Sequence, residues 1–219
     1  MAGYKETTKK FKIESEQIKL TQAKERLIFA LDVSNKNEAV RLTKILDDQV
    51  GYFKIGLELF VAEGPSIIQS VIENSSAGIF LDLKLHDIPN TISGALKSAC
   101  KYPIRFVTVH CDHPSLLQKK DFFRKNIDIL GVTILTSTTT DHLPLLGFSQ
   151  NINLSKLATK RAKIAQKAGC SGAVCSAEEV GKIRQACGPN FLLIVPGIRP
   201  KWQRISIDDQ SRVATPEQA

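Results

Sequence analysis

The run GIFLDLKL, from Gly78 to Leu85, decides how this chain is read. It is nearly continuous in apolar residues, as expected of a strand covered on both faces in a parallel sheet. Two charges interrupt it. A strand's period of two puts Asp82 and Lys84 on one face and Leu81, Leu83 and Leu85 on the other. An unpaired buried charge is costly, so the two must be neutralised by partners or kept for function.

Similar runs lie on either side: LIFALDV from Leu27, VGYFKIG from Val50, IRFVTVH from Ile104, IDILGVTIL from Ile127, SGAVCS from Ser171 and FLLIVPGI from Phe191. Between them lie polar turns and segments of helical spacing. Ser34 and Asn35 precede the first helix as capping residues, Gly64 and Pro65 open the second, and Pro89 with Asn90 opens the third. Ser176 stands as N-cap before a helix from Ala177 to Cys187. Strands alternating with helices predict an α/β protein, a (β/α)8 TIM barrel in which seven strands are counted and the eighth βα unit is missing. The rival, a doubly wound sheet, would carry a GxGxxG turn after its first strand, and the turn after LIFALDV has no glycine.

A length of 219 residues with 42% hydrophobic and 24% charged residues suits one globular domain, expected over residues 25–219. Residues 1–24 alternate Lys and Glu and read as an appended basic and polar arm. No stretch approaches the roughly 20 apolar residues of a membrane span, and the N-terminus lacks a signal peptide's apolar core, so a cytoplasmic protein without membrane association is expected. The five cysteines include no CxxC pair and read as free thiols. The net charge of +8 is spread along the chain without interleaved aromatics, which argues for attraction of a small phosphorylated anion over a nucleic-acid partner.

In a parallel barrel the C-terminal ends of the strands surround the active site. Asp32 closes the first strand, Lys54 lies in the second, Asp82 and Lys84 in the third, and His110 ends the fourth. A structural ion-pair cluster is the plain alternative for the lysines and aspartates, but charges inside barrels gather at functional sites. A lysine flanked by carboxylates keeps its proton and acts as a general acid, which suits a reaction that makes a carbanion and then protonates it. The segment VPGIRP, Val195 to Pro200, offers backbone N–H groups and the Arg199 guanidinium to a phosphate.

These residues closely resemble orotidine 5'-phosphate decarboxylases of the short bacterial type. DLKLHDIPNT, Asp82 to Thr91, is similar to that family's DxKxxDIxxT signature. ALDV at Asp32, FKIGLELF at Lys54, VTVH ending at His110, GVTILTS ending at Ser137, GAVCSAEE at Ser176 and VPGIRP follow in the expected order. The resemblance implies conversion of orotidine 5'-monophosphate to uridine 5'-monophosphate and CO2 in pyrimidine biosynthesis, with no metal and no organic cofactor. It implies that Lys84 protonates the pyrimidine carbon, that Asp82 sits against the departing carboxylate, and that Lys54 and Asp32 bind the ribose hydroxyls. Asp87 and Thr91 would reach the neighbouring subunit's site in a homodimer. Ser137 would bond the pyrimidine, Pro196, Gly197 and Arg199 would hold the phosphate, and Gln203, beyond Trp202, would close over it. His86 reads as a polar filler and His110 as a satisfied structural histidine. The family pattern continues past TPEQA with an eighth strand and a Gly-Arg-Pro phosphate contact. Two rivals are a magnesium-dependent sugar-phosphate decarboxylase or aldolase of the same superfamily and an inactive nucleotide-binding homologue. The magnesium branch places an acidic ligand where this chain has Lys54, which disfavours a cation.

Overall fold

A computed structural model of the chain describes residue 18 and residues 20–112, 127–149, 152–202 and 212–218. Gln203 and most of the N-terminal arm lie outside the described residues. The chain divides into two compact units at the Asp82–Leu83 bond. Among the described residues it forms seven strands alternating with helices, and every strand pairing described below is parallel, as in an α/β fold.

The first unit holds β1 (Ile28–Ala30), α1 (Lys36–Leu46), β2 (Tyr52–Ile55), α2 (Leu57–Glu63), α3 (Ser66–Ile72) and most of β3 (Gly78–Leu85). β2 pairs with β1 on one side and β3 on the other, with Lys54 opposite both Ala30 and Phe80. Phe53, Ile55, Leu59, Ile67, Val71 and Ile79 are buried in its core. The expected cap at Asn35 is present, its side chain accepting the Glu38 N–H at 3.0 Å. α2 is a helix that the sequence reading did not assign. Gly64, at φ +65°, ends it, and Pro65 caps α3, so the Gly-Pro pair separates two helices where one opening was expected. Gly78 has a steric reason: a Cβ there would come within 2.6 Å of the Tyr52 ring. Residues 20–25 are helical, and the Lys24 carbonyl lies where a Cβ on Gly51 would meet it at 2.7 Å, so the end of the expected arm packs closely against this unit.

The second unit contains the end of β3, α4 (Pro89–Ala99), β4 (Phe106–His110), β5 (Asp128–Val132), α5 (His142–Leu145), α6 (Leu154–Ala168), β6 (Gly172–Val174), a 3-10 turn at Ala177–Glu179, α7 (Val180–Cys187) and β7 (Leu192–Ile194). β4 to β7 pair in chain order. Pro89 begins α4 and Ser176 is an N-cap, both as expected, but the helix expected over Ala177–Cys187 opens with a 3-10 turn, where Ser176 and Glu179 form a reciprocal capping box. α6 buries Ala158, Ala162, Ala165 and Ala168 along one stripe. Small residues let it lie close to β5: a Cβ on Gly131 would meet that of Ala165 at 2.5 Å. All five cysteines are free thiols, and Cys111, Cys170 and Cys175 are buried. Burial pushes Cys170 and Cys175 up to about 12, which keeps them protonated and unreactive. No helix among the described residues is long and apolar enough to cross a membrane.

Candidate active site

In the first unit, strand register assembles the charged cluster. Ala30, Lys54 and Phe80 form one cross-strand row, and the next position on the same face along each strand is Asp32, Gly56 and Asp82. The Lys54 ammonium rises between the flanking carboxylates. Its Nζ donates to Asp32 Oδ1 at 2.9 Å and lies 3.8 Å from Asp82 Oδ2. Gly56 leaves the gap, since a Cβ there would stand 3.2 Å from Nζ and 3.5 Å from Asp32 Oδ1. The two carboxylates differ in setting: the Asp82 side chain is 9% exposed and that of Asp32 is 69% exposed. Asp32 is therefore a solvated neighbour of the lysine and Asp82 a buried one. Gly56 was missed by the sequence reading because its role depends on register.

Period-two alternation holds as far as Asp82 and loses its basis at Lys84. This residue has φ +47°, outside the extended region, and is the non-glycine residue with positive φ among the described residues. Its N–H donates to Thr108 Oγ1 at 2.8 Å. Just beyond, Asp87 Oδ1 accepts the Ile88 N–H at 2.6 Å, and Thr91 lies exposed in the first turn of α4.

His86, expected as a polar filler, and His110, expected as a satisfied structural histidine, lie against each other. Their rings meet in a tilted contact, with centroids 4.8 Å and planes 37° apart. His86 Nε2 lies 3.3 Å from Asp112 Oδ1, and Arg161 Nη2 lies 3.8 Å from the other carboxylate oxygen. Arg161 Nη1 donates to the Thr133 carbonyl at 2.7 Å. His110 Nδ1 is buried and has no hydrogen-bond partner among the described residues. Burial holds the His110 imidazole below the usual histidine range, with the Asp112 carboxylate opposing.

At the later strand ends, Ser137 is exposed in a turn after β5. Gly197 has φ +76°, the left-handed backbone that the turn at Pro196 requires. The Arg199 N–H is not available to a ligand as expected. It donates to the Ala214 carbonyl at 2.8 Å, and the Ala214 N–H donates to the Gly197 carbonyl at 3.1 Å, so a short parallel bridge occupies this edge of the turn. The Arg199 side chain donates to its own neighbour's carbonyl, Ile198 O, at 3.2 Å. Arg212, also missed, forms a buried ion pair with Glu179 and donates to the Leu135 carbonyl at 3.1 Å. Glu179 in turn accepts the Ser176 N–H at 2.9 Å. The loops after β5 and β6 are thus tied to the segment at Arg212.

Residues 25–219 match the model of the orotidine 5'-phosphate decarboxylase / HUMPS family. The chain belongs to that family. Among curated relatives, the orotidine 5'-phosphate decarboxylase of Desulfosudis oleivorans is 40% identical over 207 residues, 92% of this chain and 83% of the relative. That of Carboxydothermus hydrogenoformans is 41% identical over 204 residues, 89% of this chain and 83% of the relative. Among solved structures, the orotidine 5'-phosphate decarboxylase of Lactobacillus acidophilus superposes with a TM-score of 0.67 at 34% identity, covering 80% of this chain and 81% of that one.

Proposed function

We propose that the chain decarboxylates orotidine 5'-monophosphate to uridine 5'-monophosphate and CO2 within pyrimidine biosynthesis, on a (β/α)8 barrel and without metal or organic cofactor. The observation that carries this reading is Lys54 seated between Asp32 and Asp82. The family contains a magnesium-dependent sugar-phosphate branch, whose cation needs oxygen ligands where this chain has an ammonium. A lysine there repels a dication and offers donors to sugar hydroxyls instead.

The reaction breaks the bond between the pyrimidine ring and its carboxylate. The electron pair stays on the ring carbon as CO2 leaves. The Asp82 carboxylate repels the substrate carboxylate, and this repulsion vanishes as neutral CO2 forms. Lys84, two residues along β3 from Asp82, stabilises the developing carbanion with its ammonium and then transfers a proton to it. Lys54 and Asp32 hold the ribose hydroxyls. Ser137 bonds the pyrimidine, Arg199 with the turn at Pro196 and Gly197 receives the phosphate, and Gln203 closes over it. Asp87 and Thr91 serve the partner's site in a homodimer, and the enzyme works in the cytoplasm.

The test is an ultraviolet assay of purified protein with orotidine 5'-monophosphate, with the product identified by chromatography. Stoichiometric formation of uridine 5'-monophosphate and CO2 is expected. A folded protein that binds the nucleotide without turning it over would make it an inactive homologue.

A further inference from the structure

The signature residue Lys84 carries a backbone that lysine rarely adopts. A positive φ brings Cβ close to the backbone, is uncommon outside glycine, asparagine and aspartate, and persists only where the surroundings enforce it. At φ +47° Lys84 leaves the extended path of β3, and its N–H is received by a side chain, the hydroxyl of Thr108, at 2.8 Å. Thr108 is suited to enforce the turn. It lies inside β4, opposite Leu130 of β5, and is fully buried. A β-branched side chain has a stiff χ1, so burial within the ladder leaves its oxygen in one place. The Cα–Cβ direction of Lys84 follows from its φ. A fixed acceptor for its N–H therefore sets the direction in which the ammonium leaves the backbone.

We propose that Thr108 is a positioning residue for the reaction, acting through the Lys84 backbone to aim the ammonium at the ring carbon. This rests on the decarboxylase reading above. Thr108 touches no substrate in this account. Its effect is confined to the step that needs the proton donor aligned, and substrate binding by Asp32, Lys54 and Arg199 does not depend on it.

Thr108→Val is nearly isosteric and removes the hydroxyl that accepts the Lys84 N–H. It should lower kcat about 100-fold, the scale of an ångström-level misplacement, while KM and the Kd for uridine 5'-monophosphate stay within about threefold. Thr108→Ser should recover most of kcat. The Lys84 amide should exchange slowly with deuterium in the parent and in Thr108→Ser, and quickly in Thr108→Val. If the valine variant does not fold, the Ser–Ala pair decides, since Thr108→Ala differs from Thr108→Ser by the hydroxyl alone and should be at least about tenfold slower. A hydroxyl-free variant that folds and keeps parental kcat overturns the proposal, as does a serine variant no better than alanine. A parent that leaves orotidine 5'-monophosphate untouched defeats the decarboxylase reading and this one with it. An active parent with an unimpaired Thr108→Val defeats only this one.

Discussion

The charged signature of β3 has two parts that obey different rules. Up to Leu81 the strand pairs in register with β2, and the position of the charges around Lys54 follows from that register and its extension by one alternating step. Asp32, Lys54 and Asp82 share one face because their strands pair residue for residue. At Lys84 the backbone turns to a positive φ, and beyond the register shared with β2 particular side chains meet it: Thr108 at the Lys84 N–H, Asp112 beside His86, and His86 against His110. A ladder places charges cheaply and predictably. A residue that must leave the ladder needs its own support, and that support is invisible until the strands are aligned.

The contrast is sharpest for Lys84, the proton donor of the proposed reaction. Lys84→Ala should reduce kcat by about a thousandfold or more, because a general acid acts mainly in the transition state, while affinity for uridine 5'-monophosphate falls far less. Steady-state kinetics with product-binding titration checks this, and turnover within about tenfold of the parent would remove Lys84 from the mechanism.

On the ladder side, stability is the more telling readout. Lys54→Met removes the ammonium facing the buried Asp82 carboxylate and should destabilise the fold by about 2 kcal/mol in urea titrations, besides abolishing turnover. The exposed pair Lys201–Glu217 is the control, with side chains 74% and 78% exposed. Lys201→Ala should cost no more than about 0.5 kcal/mol. Equal effects at the two sites would mean that the Lys54 cluster is held no more firmly than a surface pair.

Gly56→Ala probes the row between the two carboxylates. The added methyl would lie 3.2 Å from Lys54 Nζ, so the ammonium must shift by a few tenths of an ångström. A fall in kcat/KM of about tenfold with a melting temperature near the parent's is expected. Parental kinetics would show that the gap has slack.

The smallest expected effect is at His110. Burial lowers its affinity for protons in the folded state below that of the unfolded chain, whose ordinary value is 6.5. The unfolded state therefore binds more protons as the pH drops through 6.5, and the folded state loses stability in that window. His110→Asn should flatten the fall in melting temperature between about pH 7 and pH 5.5. An unchanged pH profile would mean that His110 titrates alike in both states.

Much of the fold was legible in the sequence because its elements are locally determined. Each of the seven apolar runs contains a strand, and the helix starts at Asn35, Pro89 and Ser176 are local facts, side-chain caps at Asn35 and Ser176 and a fixed φ at Pro89. Strand ends were less legible: FLLIVPGI pairs with β6 only at Leu192–Ile194, and its tail pairs with Ala214 instead. α2 was hidden inside a motif read for its strand. The candidate charges Asp32, Lys54 and Asp82 could be named from spacing, whereas Gly56, Thr108 and Arg212 could not. Thr108 and Arg212 act on partners 24 and 33 residues away, and the gap at Gly56 matters only because Lys54 bonds Asp32, 22 residues from it; sequence spacing carries no such information.

In the proposed reaction Lys54 stands as an ammonium where the magnesium-dependent rival needs an acidic ligand. Turnover of orotidine 5'-monophosphate after exhaustive EDTA treatment, with residual metal measured on the same sample, tests this most directly. The rate should equal that of the untreated enzyme. Loss of activity under EDTA that returns with magnesium would contradict the account and move the chain to the metal-dependent branch of its family.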